Sequence, residues 1–222
     1  MNKALVVLSG GQDSTTCLYW AIDRFGVDGV SSLTFDYGQK HRVELECAEK
    51  IAALAGVENT VLPIDTFRVL GGNALTDKID VKPGVDPDTQ LPNTFVPGRN
   101  LVFLTYAAAF AYQRNISNLV TGVAQTDYSG YPDCRNETIE SLQQSIRLGM
   151  ESDISIHTPL MWLSKAETVK LAEQLGALEA LAYSHTCYNG QQPPCGECEA
   201  CRLRAKGFEE AGIADPLVER FK

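Results

Sequence analysis

Nowhere does the 222-residue sequence run apolar for the roughly twenty residues that a bilayer-spanning helix needs. Its first strand-like run, "KALVVLSGG", follows no basic segment, apolar core and small-residue cleavage site. Neither a membrane anchor nor a secretory signal is expected, and the chain is assigned to the cytoplasm. Basic charge is also scarce. Nineteen Lys and Arg stand against 28 Asp and Glu, for a formal net charge of −9. A surface built to hold long nucleic acid carries the opposite sign. No direct nucleic-acid partner is therefore expected, although a few local donors would still hold a small anion. Internal repeats and low-complexity tracts are absent. In a reducing compartment the seven cysteines point to metal or catalysis before disulfides. What remains, 44% hydrophobic and 21% charged residues, suits one α/β domain with a small appendage.

Four short apolar runs, "ALVVLS", "SSLTFDYG", "NTVLPID" and "NLVTGVA", have the character of buried strands. Helical patterns alternate with them. Cys17, Leu18, Ala21, Ile22 and Phe25 share a face that ends before Gly26, and Ala48, Ile51, Ala52 and Ala55 form a second stripe stopped by Gly56. "NLVFLTYAAAFAYQRN" is apolar nearly all round, so a buried helix is expected there. "SKAETVKLAEQLG" carries a capping box, Ser164 with Glu167, and Gly176 as its stop. Strands alternating with helices predict a doubly wound, mostly parallel sheet, with ligands beyond the carboxyl ends of its strands. The stretch from Thr66 to Asn100 has neither period and is rich in Gly, Pro and Asp, so it is expected to be functional or disordered.

At the end of the first run stands "SGGQDSTT". It lacks the Lys of a P-loop and the third Gly of a dinucleotide-binding turn, yet its outline suits an anion. Gly10 and Gly11 let a bulky anion approach the main chain. The helix starting near Ser14 offers unpaired N–H groups and the positive end of its dipole. Ser9, Ser14, Thr15 and Thr16 supply hydroxyls. Asp13 would repel phosphate unless it binds a bridging Mg²⁺ or merely caps the helix. A plain strand-to-helix turn would have the same sequence.

Near the C-terminus, Cys187, Cys195, Cys198 and Cys201 stand at spacings x7, x2 and x2. Four thiolates fit a tetrahedral Zn²⁺ with no open position, hence a structural site. An iron–sulfur cubane or disulfides remain open on spacing alone, although the Pro-Pro before Cys195 suits a rigid zinc module. Cys17, Cys47 and Cys134 fit small core positions. His41, His157 and His185 complete no constellation.

Ser-Gly-Gly-x-Asp-Ser after an N-terminal strand resembles the pyrophosphate loop of the N-type ATP pyrophosphatases. "TPLMWLSKAE" resembles a later element of that superfamily, whose Lys, here Lys165, reaches the phosphates. With "FDYGQKHR", "FVPGRN" and "TDYSGYPDCR" the resemblance narrows to the 7-cyano-7-deazaguanine synthases and spreads over most of the chain. It implies an ATP-dependent ligase converting 7-carboxy-7-deazaguanine and ammonia to the nitrile base of queuosine biosynthesis. It also implies a structural zinc, ATP with Mg²⁺, small-molecule partners only, and a homodimer. Carried onto this sequence, the ATP loop covers Leu8, Ser9, Gly10, Gly11, Gln12, Asp13, Ser14, Thr15, Thr16, Cys17 and Leu18. Asp13, Lys165 and Arg99 would be catalytic. Tyr131 or Phe95 could stack on the base, Asp133 could read its edge or merely occupy a turn, and Arg99 and Arg135 could hold its carboxylate or a phosphate. A main domain over 1–183 and a zinc module over 184–222 packed on it are expected. A tRNA-thiolating enzyme is opposed by the net charge. Another amidating synthetase would need free ammonia, and a non-catalytic zinc module would leave the loop unexplained.

Overall fold

The computed structural model describes residues 3–39, 42–77, 79–82, 84–126 and 130–222, with backbone alone at Arg68. His41 and the 127–129 part of "TDYSGYPDCR" lie outside the described residues. The four apolar runs are strands β1 (Ala4–Val7), β2 (Val30–Asp36), β3 (Glu58–Pro63) and β4 (Asn118–Val120). A fifth, β5 (Ser155–His157), is added at one edge. It is too short for a period to show in the sequence. Every adjacent pair is parallel, in the order β3-β2-β1-β4-β5. The doubly wound sheet is therefore present, and its order reverses between β1 and β4.

Side chains alternate across β1 because successive Cβ atoms point to opposite faces. Ala4, Val6 and Leu8 pack on α1 (Gln12–Phe25) and α2 (Val43–Leu54), through Leu18, Ala21, Ala48 and Ile51. Leu5 faces the other way, with Leu33 and Leu119, onto Ala107, Ala108 and Ala111 of α4 (Arg99–Tyr112) and Ile146 of α5 (Asn136–Met150). Leu5, Leu33 and Leu119 are completely buried, each stabilising the fold by about 1.5–3 kcal/mol. The expectation for α4 needs correction. Thr105, Tyr106, Ala109 and Tyr112 are exposed at helical spacing, so α4 covers the sheet with one face and leaves a partly aromatic stripe outside.

The aperiodic stretch is ordered by side chain to main chain bonds. After the short α3 (Thr66–Leu70), Asn73 Oδ1 accepts the N–H groups of Leu75 and Thr76, and Asp86 Oδ1 those of Asp88 and Thr89. These are turns, whose chemistry leaves no hydrophobic period. The capping box of α6 (Lys165–Gln174) forms as expected, Ser164 with Glu167. Beyond α6 come α7 (Leu178–Leu181), α8 (Glu199–Ala211) and α9 (Pro216–Glu219). Helix α8 lies tight on α6: a Cβ on Gly207 would stand 2.8 Å from Lys165 Cβ. The Arg204 guanidinium, 4% exposed, fixes α8 further by a two-pronged pair with Asp215 (2.6 and 2.8 Å) and bonds to Ser184 Oγ and the Leu181 carbonyl. Among the described residues no helix is long and apolar enough to cross a membrane.

One glycine sets how closely these parts approach. Gly10 has φ +82°, and a Cβ there would lie 2.4 Å from the Glu44 carbonyl and 2.9 Å from the Ala48 nitrogen. Gly10→Ala is expected to cost about 3 kcal/mol or more, from a strained backbone and an overlap that only backbone movement relieves. Urea unfolding would check this; a loss below about 1 kcal/mol would show that α2 can shift freely.

Candidate active site

A cleft of about 310 Å³ opens at the carboxyl ends of β1 and β4, where the strand order reverses and doubly wound sheets place their ligands. Gly122, just past β4, lets the walls meet: a Cβ there would be 3.0 Å from Ser14 N at the start of α1. Leu8, Ser9, Gly11, Gln12, Asp13 and Ser14 all line the cleft. The Ser9 and Ser14 hydroxyls lie 3.0 Å apart, Ser9 N–H donates to Ser14 Oγ at 3.2 Å, and Ser14 Oγ–H bonds the Gly11 carbonyl at 3.2 Å. The loop is thus shaped by hydrogen bonds among its own residues.

Thr15 and Thr16 are placed otherwise. Both are fully buried, and their hydroxyls donate to the Gly11 and Gln12 carbonyls at 2.7 and 3.0 Å. Cys17 and Leu18 face the core. These four hold α1 on the sheet, while Gly10 turns inward toward α2. Three other polar atoms at the loop are buried without a hydrogen-bond partner among the described residues: Gln12 Nε2, Asp13 Oδ1 and Thr186 Oγ1. All three residues line the cleft. An orphaned amide donor, hydroxyl and carboxylate oxygen together fit an anion accompanied by a cation.

Asp13 Oδ2 accepts a hydrogen bond from Lys165 Nζ at 2.7 Å, although the two lie far apart in sequence. Lys165 is the first residue of α6. The capping box and the contact with Gly207 therefore fix where its side chain begins.

The far end of the cleft is aromatic and cationic. Arg99, which opens α4, has its guanidinium carbon 5.8 Å from the ring centres of both Tyr37 and Tyr131. Burial disfavours its charge, but the Tyr37 and Tyr131 phenols, then Asp133 and Tyr188, outweigh that and raise its pKa. Burial pushes Tyr37 up to about 12, against the pull of Arg99. Tyr131 bonds Thr94 Oγ1 at 2.6 Å, with the Phe95 ring 5.7 Å from its own.

Several expected substrate residues do not line the cleft. Phe95 supports Tyr131 from behind. Asp133 is buried, and its Oδ2 accepts the Asn100 N–H at 2.9 Å, which anchors the first turn of α4. Arg135 is exposed at the N-cap of α5. Cys134, expected in the core, instead borders the cleft. Sequence reasoning missed Glu44, Tyr37, Gln39 and Tyr188, all of which line it. "FDYGQKHR" drew attention to the first loop, but only the fold brings α2 and the cysteine segment to the same opening.

Cys187, Cys195, Cys198 and Cys201 converge, with all their Sγ atoms within 4.8 Å of one another. Cys195 and Cys201 sulfurs are 3.9 Å apart and none of the seven cysteines forms a disulfide. A tetrahedral ion with bonds of about 2.3 Å holds its thiolates about 3.8 Å apart, whereas a cubane would force them wider. The site fits a single ion. The Glu197 and Cys198 N–H groups point at Cys195 Sγ, 3.4 and 3.3 Å away. The closeness of Cys198 and Cys201 lowers the first thiol and raises the second. His185 is not a ligand. It is buried, its ring donates to the Cys187 carbonyl, and its N–H donates to the Gly10 carbonyl at 2.8 Å, which joins the cysteine segment to the loop. His157 packs beside Trp20 and Phe25 and bonds Asn118.

Asp13 and Glu44 are the carboxylates among the described residues that line the cleft. Burial raises Glu44 to about 7, only partly offset by Arg99. A folded-state pKa above the unfolded one means that the folded chain holds this proton more tightly. The associated stability is fully present below about pH 4.5 and is lost as pH rises through 7, at about 1.4 kcal/mol per unit. Glu44→Gln is therefore expected to be more stable than the parent by about 2 kcal/mol at pH 8, the gap closing toward pH 4. Urea titrations at the two pH values check this; an equal difference at both would exclude a raised Glu44.

The family model described as "Queuosine biosynthesis protein QueC" matches residues 3–212. A 7-cyano-7-deazaguanine synthase of Chromobacterium violaceum is 73% identical over 220 residues, covering 99% of this chain and 94% of that protein. The protein of that name from Bacillus subtilis is 52% identical over 214 residues, with 94% of each chain covered. Among solved structures, an NMN synthetase from Francisella tularensis superposes with a TM-score of 0.53 at 13% identity, covering 99% of this chain and 82% of that one. A predicted tRNA methyltransferase subunit from Methanocaldococcus jannaschii gives 0.51 at 22%, covering 78% and 75%. These two likenesses concern the fold alone. The match along nearly the whole chain, and the loop, cleft and thiolate cluster it spans, place this protein in the QueC family of 7-cyano-7-deazaguanine synthases.

Proposed function

We propose that the protein is an ATP-dependent carbon–nitrogen ligase that converts 7-carboxy-7-deazaguanine and free ammonia to 7-cyano-7-deazaguanine, a step of queuosine biosynthesis in the cytoplasm. The observation that carries this reading is the single cleft with two unlike ends, a phosphate-type loop at one and a guanidinium among phenols at the other.

The residues suit the chemistry. Ser9, Ser14, the main chain at Gly11 and the Gln12 amide would receive the β- and γ-phosphates at the start of α1. Lys165 Nζ, now on Asp13, lies where it can turn to a phosphate oxygen, and Arg99 would hold the substrate carboxylate. A carboxylate oxygen attacks the α-phosphorus and pyrophosphate leaves. Ammonia then attacks the carbonyl carbon, AMP departs with one oxygen, and loss of a proton leaves the amide. The amide oxygen is adenylated in turn, and departure of the second AMP with the remaining nitrogen protons yields the nitrile. Each pass replaces oxide or hydroxide by a better leaving group.

Asp13 Oδ1 is the group to hold Mg²⁺, which would neutralise charge on the phosphates. Zn²⁺ is the ion for the four thiolates, a closed structural site that takes no part in the reaction. The exposed Tyr106 and Tyr112 on α4 favour a second copy of the chain as partner, hence a homodimer, and the acidic balance favours small molecules over RNA.

Because the cleft contains one phosphate loop, both activations use it. The isolated amide, given ATP and Mg²⁺ but no ammonia, is expected to become nitrile with release of AMP and pyrophosphate. Asp13→Asn is expected to lower both this half-reaction and the full one by about 10³-fold or more without unfolding the chain. Mass spectrometry of the products decides: an inert amide, or a variant that still dehydrates it, would falsify the one-site mechanism.

A further inference from the structure

Tyr188 belongs to two sites at once. It follows Cys187 directly, so one of the four clustered thiols belongs to the residue just before it. It also lines the cleft, where its phenol faces that of Tyr131 and the Arg99 guanidinium. Tyr131 is itself tied to Thr94 Oγ1 at 2.6 Å. Leu203 of α8, just after Cys201, lines the same opening. Across from it the Tyr37 ring lies 5.3 Å from Phe103. The cysteine segment therefore does more than finish the fold: it supplies one wall of the chamber around Arg99.

The chamber's chemistry defines its ligand. Phenol rings offer flat faces for stacking and hydroxyls for hydrogen bonds, and a half-buried guanidinium demands an anion. A planar heterocycle bearing a carboxylate satisfies both, whereas phosphates are served at the opposite end by the serine loop. We infer that the thiolate cluster positions the heterocycle subsite, with Tyr188 as the positioning residue that transmits its geometry. The inference rests on the function proposed above only in taking the heterocycle to be the carboxylated deazaguanine. It explains why a closed metal site lies beside a cleft whose reaction needs no thiolate. An ion held there would fix where Cys187 stands, Cys187 would carry the adjoining Tyr188 backbone with it, and Tyr188 with Tyr131 would set the width of the slot.

The test is a calorimetric titration of the metal-loaded parent, Tyr188→Ala and Tyr188→Phe, with 7-carboxy-7-deazaguanine and separately with AMP. Metal content is measured on each protein. Loss of the stacking wall in Tyr188→Ala should weaken the base by about tenfold or more. Tyr188→Phe, which keeps the ring and loses only the hydroxyl, should weaken it only about threefold to fivefold. AMP affinity should stay within about twofold in both, with stoichiometric metal. Base affinity unaltered in Tyr188→Ala, or base and AMP weakened in equal proportion, overturns the inference. If Tyr188→Ala loses metal, the metal-loaded Phe variant decides by the same comparison. A parent that binds the base but releases no AMP from ATP overturns the proposed reaction and not the subsite. A parent that turns over, with base binding indifferent to Tyr188, overturns the subsite and not the reaction.

Discussion

The meeting of three segments at Gly10 governs the rest of the structure. The chain leaves β1 with a positive φ, the first turn of α2 presses on the glycine so closely that a methyl group has no room, and the Gly10 carbonyl accepts the His185 N–H. One residue without a Cβ thus joins the phosphate-type loop, the helix that carries Glu44, and the segment that carries the clustered cysteines. Close-packed interiors do not deform continuously, so the separation between the serine loop and the Arg99 chamber is set here and not by the flexible side chains that line the cleft.

Within that frame the electrostatics are local. The protein is acidic overall, yet the cleft concentrates Arg99, Lys165 and the N-terminus of α1 around the carboxylates Asp13 and Glu44. Asp13 is compensated by Lys165 at 2.7 Å, with both side chains largely shielded from water. Such a pair contributes little to stability for the burial it costs. In the proposed reaction the pair is exchangeable, since an incoming polyphosphate with its cation would offer each partner a stronger one. Glu44 is not compensated in that way. Burial raises it despite Arg99, and a group kept at that disadvantage in a cleft is the pattern expected of a functional position.

Much of this was legible in the sequence, for reasons that differ by element. β1 to β4 and α1, α2 and α6 announce themselves through period and caps, because each buries one face and the code for one face is local. The Ser9–Ser14 loop was readable since its glycines and hydroxyls act within a few residues of one another. The thiolate cluster was readable because C-x-x-C spacing nearly determines its geometry. β5 was not, since three residues carry no period. The exposed stripe of α4 was not, because an all-apolar pattern does not say which side the sheet takes. Thr15, Thr16 and Asp133 carry donor and acceptor chemistry that suits a ligand equally well, and only the fold shows those groups turned to main-chain partners. Glu44, Tyr37 and Tyr188 come from three separate stretches that nothing local connects.

The C-terminal segment offers a structural reason for four clustered thiols beside a cleft whose proposed reaction needs none of them. From His185 to Gly196 the chain forms neither helix nor strand, and so short a stretch cannot bury enough apolar surface to order itself. It nevertheless has to present one side chain to a cleft with the precision of a core residue. Helix α8 solves half of this, anchored by the buried Arg204–Asp215 pair and by the close approach of Gly207 to Lys165. The other half falls to Cys187, at the start of the irregular loop, which meets Cys198 and Cys201 at the head of α8 and Cys195 just before it. An ion closing that loop would remove the freedom that a purely hydrophobic module of this size would retain. A four-thiolate site does so without an open coordination position, so rigidity is gained without adding a second reactive centre beside the first.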